Sequence, residues 1–308
     1  MTSRRGTVGV DIGGTKVAVA AVDPSGTICA RNIEPTEPNR PFEESMDRLA
    51  KAVRDTVARA GWSLDDLSGL GVGCPGPLDL RAGTVHDPFT LPAWDGENLV
   101  GALRERLGLR VRLENDADAA LLGEAWTGAG RGYRHLAMFT LGTGVGGAVI
   151  ADGNLYRSHR GEHPELGHIP VGSGGDPCYC GHEGCLEATS SGTAITRKGR
   201  AAGFRDAPEV MARARAGDEA AGRIVQAAVA GMVSAVWTLL HTFVPERVIL
   251  GGGIGAGHFD TFEPPLRGAV DRATMVDGRG ISVVRAALGA DAGLVGAASL
   301  LADATRSN

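Results

Sequence analysis

The sequence predicts an α/β fold of two domains around a central cleft, and three observations lead there. Val-rich apolar runs alternate with amphipathic helical stretches along all 308 residues, the pattern of layered strands and helices. That length is long for one core and typical of two. The third observation is a repeat: VDIGGTKVAVAAVDPSG and FTLGTGVGGAVIADGN both read as strand, Gly/Thr turn, strand, polar turn. One hairpin opens each half of the chain, so two glycine turns facing one another would form a phosphate clamp at the interdomain cleft.

The elements follow in order. TVGVDIGGTKVAVAAVDPSGTI (7–28) is two strands about a Gly-Gly-Thr turn, with a second turn at Asp-Pro-Ser-Gly. Phe42, Met46, Leu49, Val53 and Val57 recur at spacings of three and four and predict a helix over 42–59. LSGLGVGCPGPLDL is a strand ending in a Pro/Gly loop, LVGALRERLGL a helix, VRLENDA a short strand, and DAALLGEAWTGAG a helix closing at glycines. The second hairpin occupies 136–155. Helices are expected over 192–202, near 208–216 and over 218–243, then a strand within 244–257 that runs into a glycine loop opening a helix. ISVVRAALGADAGLVGAASLLADA closes with a strand and an Ala/Leu helix, and TRSN reads as a frayed tail.

Composition excludes several classes. A net charge of −5 argues against a nucleic-acid footprint, which needs a basic face. No apolar run of signal-peptide length follows the first arginines. The most apolar stretch, 227–240, spans 14 residues and suits a buried helix better than a membrane span. A cytoplasmic, reducing setting is therefore expected, where clustered cysteines suggest metal before disulfide. Glycine is in excess, with 47 copies gathered in DIGGTK, GVGCPGP, LGTGVGG, GSGGDP and LGGGIGAG. Each cluster abuts an apolar run, which marks tight turns at strand ends where backbone can approach a ligand.

No Walker A loop is present, and no G-x-G-x-x-G sits in a dinucleotide context. A glycine-rich hairpin can still hold phosphate through exposed N–H groups and Thr hydroxyls. Asp11 beside such a turn would hold Mg²⁺, directly or through water, and Lys16 could add charge toward a polyphosphate.

DIGGTK, LGTGVGGAVI and LGGGIGAG together resemble the two phosphate loops and the adenosine loop of the actin-like ATPase superfamily, whose fold is ribonuclease H-like. ENDADAALLGE, ELGH at 165–168 and CYCGHEGCLEA resemble the ROK family of bacterial sugar kinases, in its glucokinase-like branch. The resemblance runs from residue 8 to about 257 and implies an ATP-dependent hexose kinase acting on the 6-hydroxyl, with glucose first. It implies Asp11, Gly13, Gly14, Thr15, Lys16, Gly142, Thr143, Gly144, Gly251, Gly252 and Gly253 around ATP and Mg²⁺. It also implies a smaller domain over 1–118, completed by a C-terminal helix at about 292–305, and a larger one over 119–291 with a zinc loop. The partners implied are a hexose and ATP, no nucleic acid or membrane, and a second copy of the chain, as a dimer or a dimer of dimers.

Asn115 and Asp116 stand where a strand meets a helix start. From residue types alone such a pair is more often an N-cap than a catalytic site. By resemblance Asp116 is the general base and Asn115 binds sugar hydroxyls, with Glu165, His168 and Glu187 forming the other wall and Gly76 approaching by backbone. Without the resemblance Glu165 and Glu187 would read as surface acids.

Cys178, Cys180 and Cys185 supply three thiolates in C-x-C-x4-C spacing, suited to a structural Zn²⁺ that needs four ligands. Either His168 or His182 could be the fourth, and the family pattern favours His168, with one ring nitrogen on zinc and the other toward the sugar. A redox thiol pair is disfavoured because C-x-x-C is absent. Cys29 and Cys74 read as small buried hydrophobes.

Two departures put the substrate in doubt. HPELGH replaces the usual G-E-I-G-H and resembles the fructokinase-like branch, and Asp118 stands where many relatives carry asparagine. Fructose, mannose, N-acetylhexosamines or an amino sugar such as kanosamine stay open, as does polyphosphate in place of ATP. The family also contains sugar-responsive repressors with an N-terminal helix-turn-helix. Here the first hairpin begins by residue 8, which is expected to leave no room for one. A non-catalytic sugar- or ATP-binding relative is the remaining alternative.

Overall fold

A computed structural model describes residues 5–172 and 174–302. The expected TRSN tail and the end of the closing helix lie outside the described residues. The chain forms two compact units, the first holding residues up to Arg131, Arg157–His163 and Ala290 onward, the second Gly132–Tyr156 and Pro164–Gly289.

The first unit begins with β1 (Gly6–Ile12), β2 (Lys16–Val22), β3 (Ile28–Pro35), α1 (Phe42–Arg59) and β4 (Leu67–Cys74). A small hairpin of β5 (Leu78–Asp79) and β6 (Thr84–Val85) follows, then α2 (Leu99–Leu107), β7 (Val111–Asn115) and α3 (Asp116–Thr127). In the second unit come β8 (Leu136–Leu141), β9 (Val145–Ala151), β10 (Asn154–Leu155), α4 (Leu186–Ser190), α5 (Gly192–Ala201), α6 (Ala207–Arg215) and α7 (Glu219–Thr242). It ends with β11 (Arg247–Gly251), α8 (Gly252–Gly255), α9 (Phe259–Arg272) and β12 (Ser282–Arg285), and α10 (Ala292–Ala302) returns to the first unit.

The two main sheets have one topology used twice, β3-β2-β1-β4-β7 and β10-β9-β8-β11-β12. In each, three antiparallel strands are followed by two parallel additions. The repeated hairpin motif in the sequence is the visible part of this duplication.

In the first unit, Val8, Val10 and Ile12 pack with the stripe Phe42, Met46, Leu49 and Val53 of α1. Each such fully buried side chain stabilises the fold by about 1.5–3 kcal/mol. On the sheet's other face α10 lies directly on the strands, because a Cβ on Gly71 would collide with the backbone of Ala297. In the second unit α7 buries Val225, Ala228, Met232, Val236 and Leu239 at spacings of three and four. By length and composition α7 could cross a membrane, yet this stripe packs into the unit's core.

Two expectations are corrected, and one strand is added. The division falls at 131/132 rather than 118, because α3 packs against α10 and stays with the first unit. Strand β3 has no apolar run to announce it; its alternating exposure is that of an edge strand, and β2 defines it by pairing. Cys29 lies on that edge and is exposed, whereas Cys74 is buried as expected.

Candidate active site

In the first unit the chemistry-bearing residues gather at the carboxyl ends of three parallel strands, the place where α/β sheets bind ligands. Asp11 of β1 lies opposite Gly73 of β4, and Gly73 and Cys74 lie opposite Glu114 and Asn115 of β7. Helix α3 starts at once with Asp116.

Asn115 resolves the two readings of its type by using both ends of its amide. Its Oδ1 accepts the N–H groups of Ala117 at 2.9 Å and Asp118 at 3.2 Å, capping α3. Its Nδ2 lies 4.0 Å from where a Cβ on Gly76 would stand. Asp116 accepts its neighbour's N–H, from Ala117, at 2.8 Å. Burial, followed by the charge of Asp116, pushes the Asp11 carboxyl up to about 6, against the opposing charge of Lys16.

The Gly-Gly-Thr turn is closed by Gly13 N–H donating to the Lys16 carbonyl at 2.9 Å, and the Thr36 hydroxyl donates to the Gly13 carbonyl at 2.5 Å. Gly14, Thr15 and Lys16 thus sit on a fixed turn between β1 and β2.

Behind Asn115 lies a group that sequence reasoning missed. Glu114 accepts the Asn115 N–H at 2.9 Å and pairs with Arg157 at 2.7 Å, and Arg157 reaches Asp118 at 2.9 Å. Asp118 has no exposed surface. Burial pushes its carboxyl up to about 7, Arg157 and His163 oppose that, and Glu114 adds to it. Only the tertiary fold brings Arg157 here, since nothing local to RSHRGEH signals a buried partner.

In the second unit the turn Gly142-Thr143-Gly144 joins β8 to β9. Its carbonyls are tied down by α5: Gly192 N–H donates to Gly142 at 2.8 Å, and the Thr193 hydroxyl donates to Thr143 at 2.8 Å. Glu187, in the first turn of α4, accepts the Val145 N–H at 2.7 Å. A Cβ on Gly144 would meet that carboxylate, so a larger residue there would push Glu187 away from Val145. Gly251 ends β11, and Gly252 and Gly253 open α8.

Among the described residues, His168, Cys178, Cys180 and Cys185 bring one ligand atom each within 4.8 Å of one another, and His182 is outside the group. His168 Nδ1 is 3.4 Å from Cys178 Sγ, and the Cys180 and Cys185 sulfurs are 3.5 Å apart, with all cysteines free of disulfides. Two thiolates on one tetrahedral ion with bonds of ~2.3 Å stand roughly 3.8 Å apart, so the spacing fits a shared metal. Burial first, then hydrogen bonds from Cys180 and Cys178, push Cys185 up to about 12. A dication is the group that lets crowded thiols ionise together.

The other nitrogen of His168 has a partner in its own chain. His168 Nε2 meets the Tyr179 hydroxyl at 3.2 Å, with the rings edge to face at 5.1 Å. Burial raises the Tyr179 phenol, and the charges of Glu187 and Glu165 raise it further. Tyr179 thus stands among the three side chains expected to read the sugar, a place that no spacing in the sequence reveals.

A doubled sheet with glycine turns after its first strands, and acids at its strand ends, is the arrangement of the actin-like ATPase fold, and the relatives below make this one a sugar kinase. The chain belongs to the ROK family, whose model matches residues 7–304. It is similar to a glucokinase of Thermotoga maritima, 36% identical over 96% of each chain. Among solved structures it resembles a ROK hexokinase from Thermus thermophilus, at 34% identity, TM-score 0.83, and 96% and 97% of the two chains. A ROK family glucokinase from Streptomyces griseus, in complex with glucose and AMPPNP, matches at 32% identity and TM-score 0.80, covering 96% and 98%.

Proposed function

We propose that this chain transfers the γ-phosphoryl group of ATP to the 6-hydroxyl of a hexose, with glucose as the first substrate. The observation that carries this reading is the placing of Asp11 near the end of β1 and of Asn115 and Asp116 at the end of β7, on either side of β4, in a member of the ROK family. The glucokinase relatives place glucose ahead of fructose, mannose, N-acetylhexosamines and amino sugars.

Asp116 takes the acceptor proton. A carboxylate near pKa 4 cannot ionise a sugar hydroxyl beforehand, so transfer is late, as the O6–phosphorus bond forms. The bond from phosphorus to the bridging oxygen breaks in the same displacement, and the electron pair leaves with ADP. Positioning and charge neutralisation supply most of the acceleration. Asn115 Nδ2 and the Gly76 backbone bind sugar hydroxyls from the first unit, and Glu165, His168 and Glu187 of the second unit carry the sugar-reading roles that the family resemblance gives them.

Mg²⁺ fits beside Asp11, because Asp11 and Asp116 are two half-buried acids whose like charges raise the Asp11 carboxyl and favour a dication, which would supply charge neutralisation at the phosphates. The turns at Gly13–Lys16 and Gly142–Gly144 offer N–H groups and Thr hydroxyls to phosphate, and Gly251–Gly253 serve the adenosine. Zn²⁺ fits His168, Cys178, Cys180 and Cys185, where its work is structural: it fixes His168 and the loop bearing Tyr179. A cytoplasmic homo-oligomer completes the reading on the strength of the family resemblance.

The test is ATP consumption with purified protein against a hexose panel, with Asp116→Asn as control. Glucose-dependent turnover that Asp116→Asn abolishes supports the reading. ATP hydrolysis indifferent to sugar, or full activity in the variant, overturns it.

A further inference from the structure

The sequence shows two unrelated-looking peculiarities, His163 ahead of Pro-Glu and Asp118 within ENDADAA. In the structure they belong to one construction. Arg157 spans Glu114 and Asp118 at 2.7 and 2.9 Å and fastens the segment Arg157–His163 to the first unit, although the chain on both sides of it belongs to the second. The Arg157 side chain is 20% exposed, and the Asp118 side chain is wholly buried.

At the far end of that segment, His163 Nε2 lies 3.6 Å from where a Cβ on Gly76 would stand, and Asn115 Nδ2 lies 4.0 Å from the same point. Two side-chain nitrogens therefore border the space over Gly76. Asn115 Oδ1 is committed to capping α3, which leaves its N–H₂ group on the Gly76 side. Glu114 holds the same residue by its backbone. The charge of His163 acts on Asp118, so the ring stands beside the Glu114–Arg157–Asp118 group.

We infer that His163 is a further acceptor-reading residue, hydrogen-bonding one ring hydroxyl of the hexose over Gly76, and that Asp118 and Arg157 are positioning residues acting through it. The inference rests on the hexose-kinase reading and deepens it by adding a specificity determinant. A half-buried imidazole beside Gly76 can read a hydroxyl, because a sugar without it leaves the ring nitrogen facing no partner there. Arg157 holds the backbone that aims the ring, and Asp118 replaces a neutral amide with the charge Arg157 needs.

The experiment measures KM and kcat for glucose and for 2-, 3- and 4-deoxyglucose in wild type, His163→Ala, His163→Gln and Asp118→Asn, with KM for ATP and thermal midpoints alongside. His163→Ala should raise KM for glucose roughly tenfold or more, with KM for ATP unchanged. For one deoxyglucose alone, His163→Ala should match wild type, because the hydroxyl that His163 reads is absent. His163→Gln keeps an N–H donor and should restore most of the loss. Asp118→Asn should give the same pattern more weakly.

Equal losses on glucose and all three deoxy sugars, or no change in His163→Ala, overturn the inference. If Asp118→Asn fails to fold, the two His163 variants decide it alone. A wild type that phosphorylates no hexose defeats the functional reading together with the inference, and wild-type data alone reveal that.

Discussion

Glu187 accepts the backbone N–H of Val145 at 2.7 Å, which fastens the helix after the cysteine loop to the strand after the second glycine turn. The same carboxylate acts on Tyr179. One side chain thereby joins the turn expected to hold phosphate to the loop expected to hold the sugar.

Removing that link should disturb both substrates. Glu187→Ala forfeits a hydrogen bond to a charged group, worth about 1.5–3 kcal/mol, so KM for ATP and KM for hexose should both rise roughly tenfold. Gly144→Ala, which would push the carboxylate away from Val145, should do the same. Steady-state kinetics with either substrate varied checks this; a change confined to the hexose would contradict the link.

Asp116→Asn should lower kcat by roughly 10²–10⁴, the usual worth of a positioned general base. Asn115 would still cap α3, so the thermal midpoint should stay within a few degrees of wild type. Calorimetry and initial rates together separate lost chemistry from lost folding.

Activity should also depend on pH through Asp11. Its carboxyl is raised to about 6, so below that pH it is protonated and loses its hold on Mg²⁺. Added Mg²⁺ should restore rate at pH 5.5 more than at pH 8, and the apparent Mg²⁺ requirement should climb up to about tenfold per pH unit below 6. A Mg²⁺ requirement constant across this range would contradict the assignment.

Stability should follow Asp118. Its pKa is about 7 in the folded chain against the ordinary 3.8. Between those values the folded state binds the extra proton, so the contribution of Asp118 to stability is greatest below about pH 4 and falls as pH rises toward 7. The slope from one group cannot exceed about 1.4 kcal/mol per pH unit. Asp118→Asn should remove the part of the fall in denaturation midpoint between pH 5 and pH 7 that Asp118 contributes, leaving the falling slope from Asp11 and an opposing rise from His258.

Metal removal is the remaining test. One Zn²⁺ per chain is expected by elemental analysis. Chelation or Cys180→Ser should lower the thermal midpoint and raise hexose KM while leaving KM for ATP near wild type. A folded, fully active Cys180→Ser protein without metal would refute a structural role for the cluster.

The sequence by itself determined what is local. Spacing of three and four set α1 at Phe42–Arg59, matching the expected bounds. Glycine turns after Val-rich runs marked the hairpins, and the repeat foretold two sheets of one topology. Cysteine spacing pointed to a metal, because a short loop holds three ligands with few conformations to choose among. Only the tertiary structure decided what depends on packing between distant segments. It brought His168 to the thiols and set Tyr179 against its other nitrogen. It kept α3 with the first unit, and it carried Arg157 to Glu114 and Asp118. Such partnerships arise when the fold buries a charge and a distant residue must answer it, so no neighbouring letters record them.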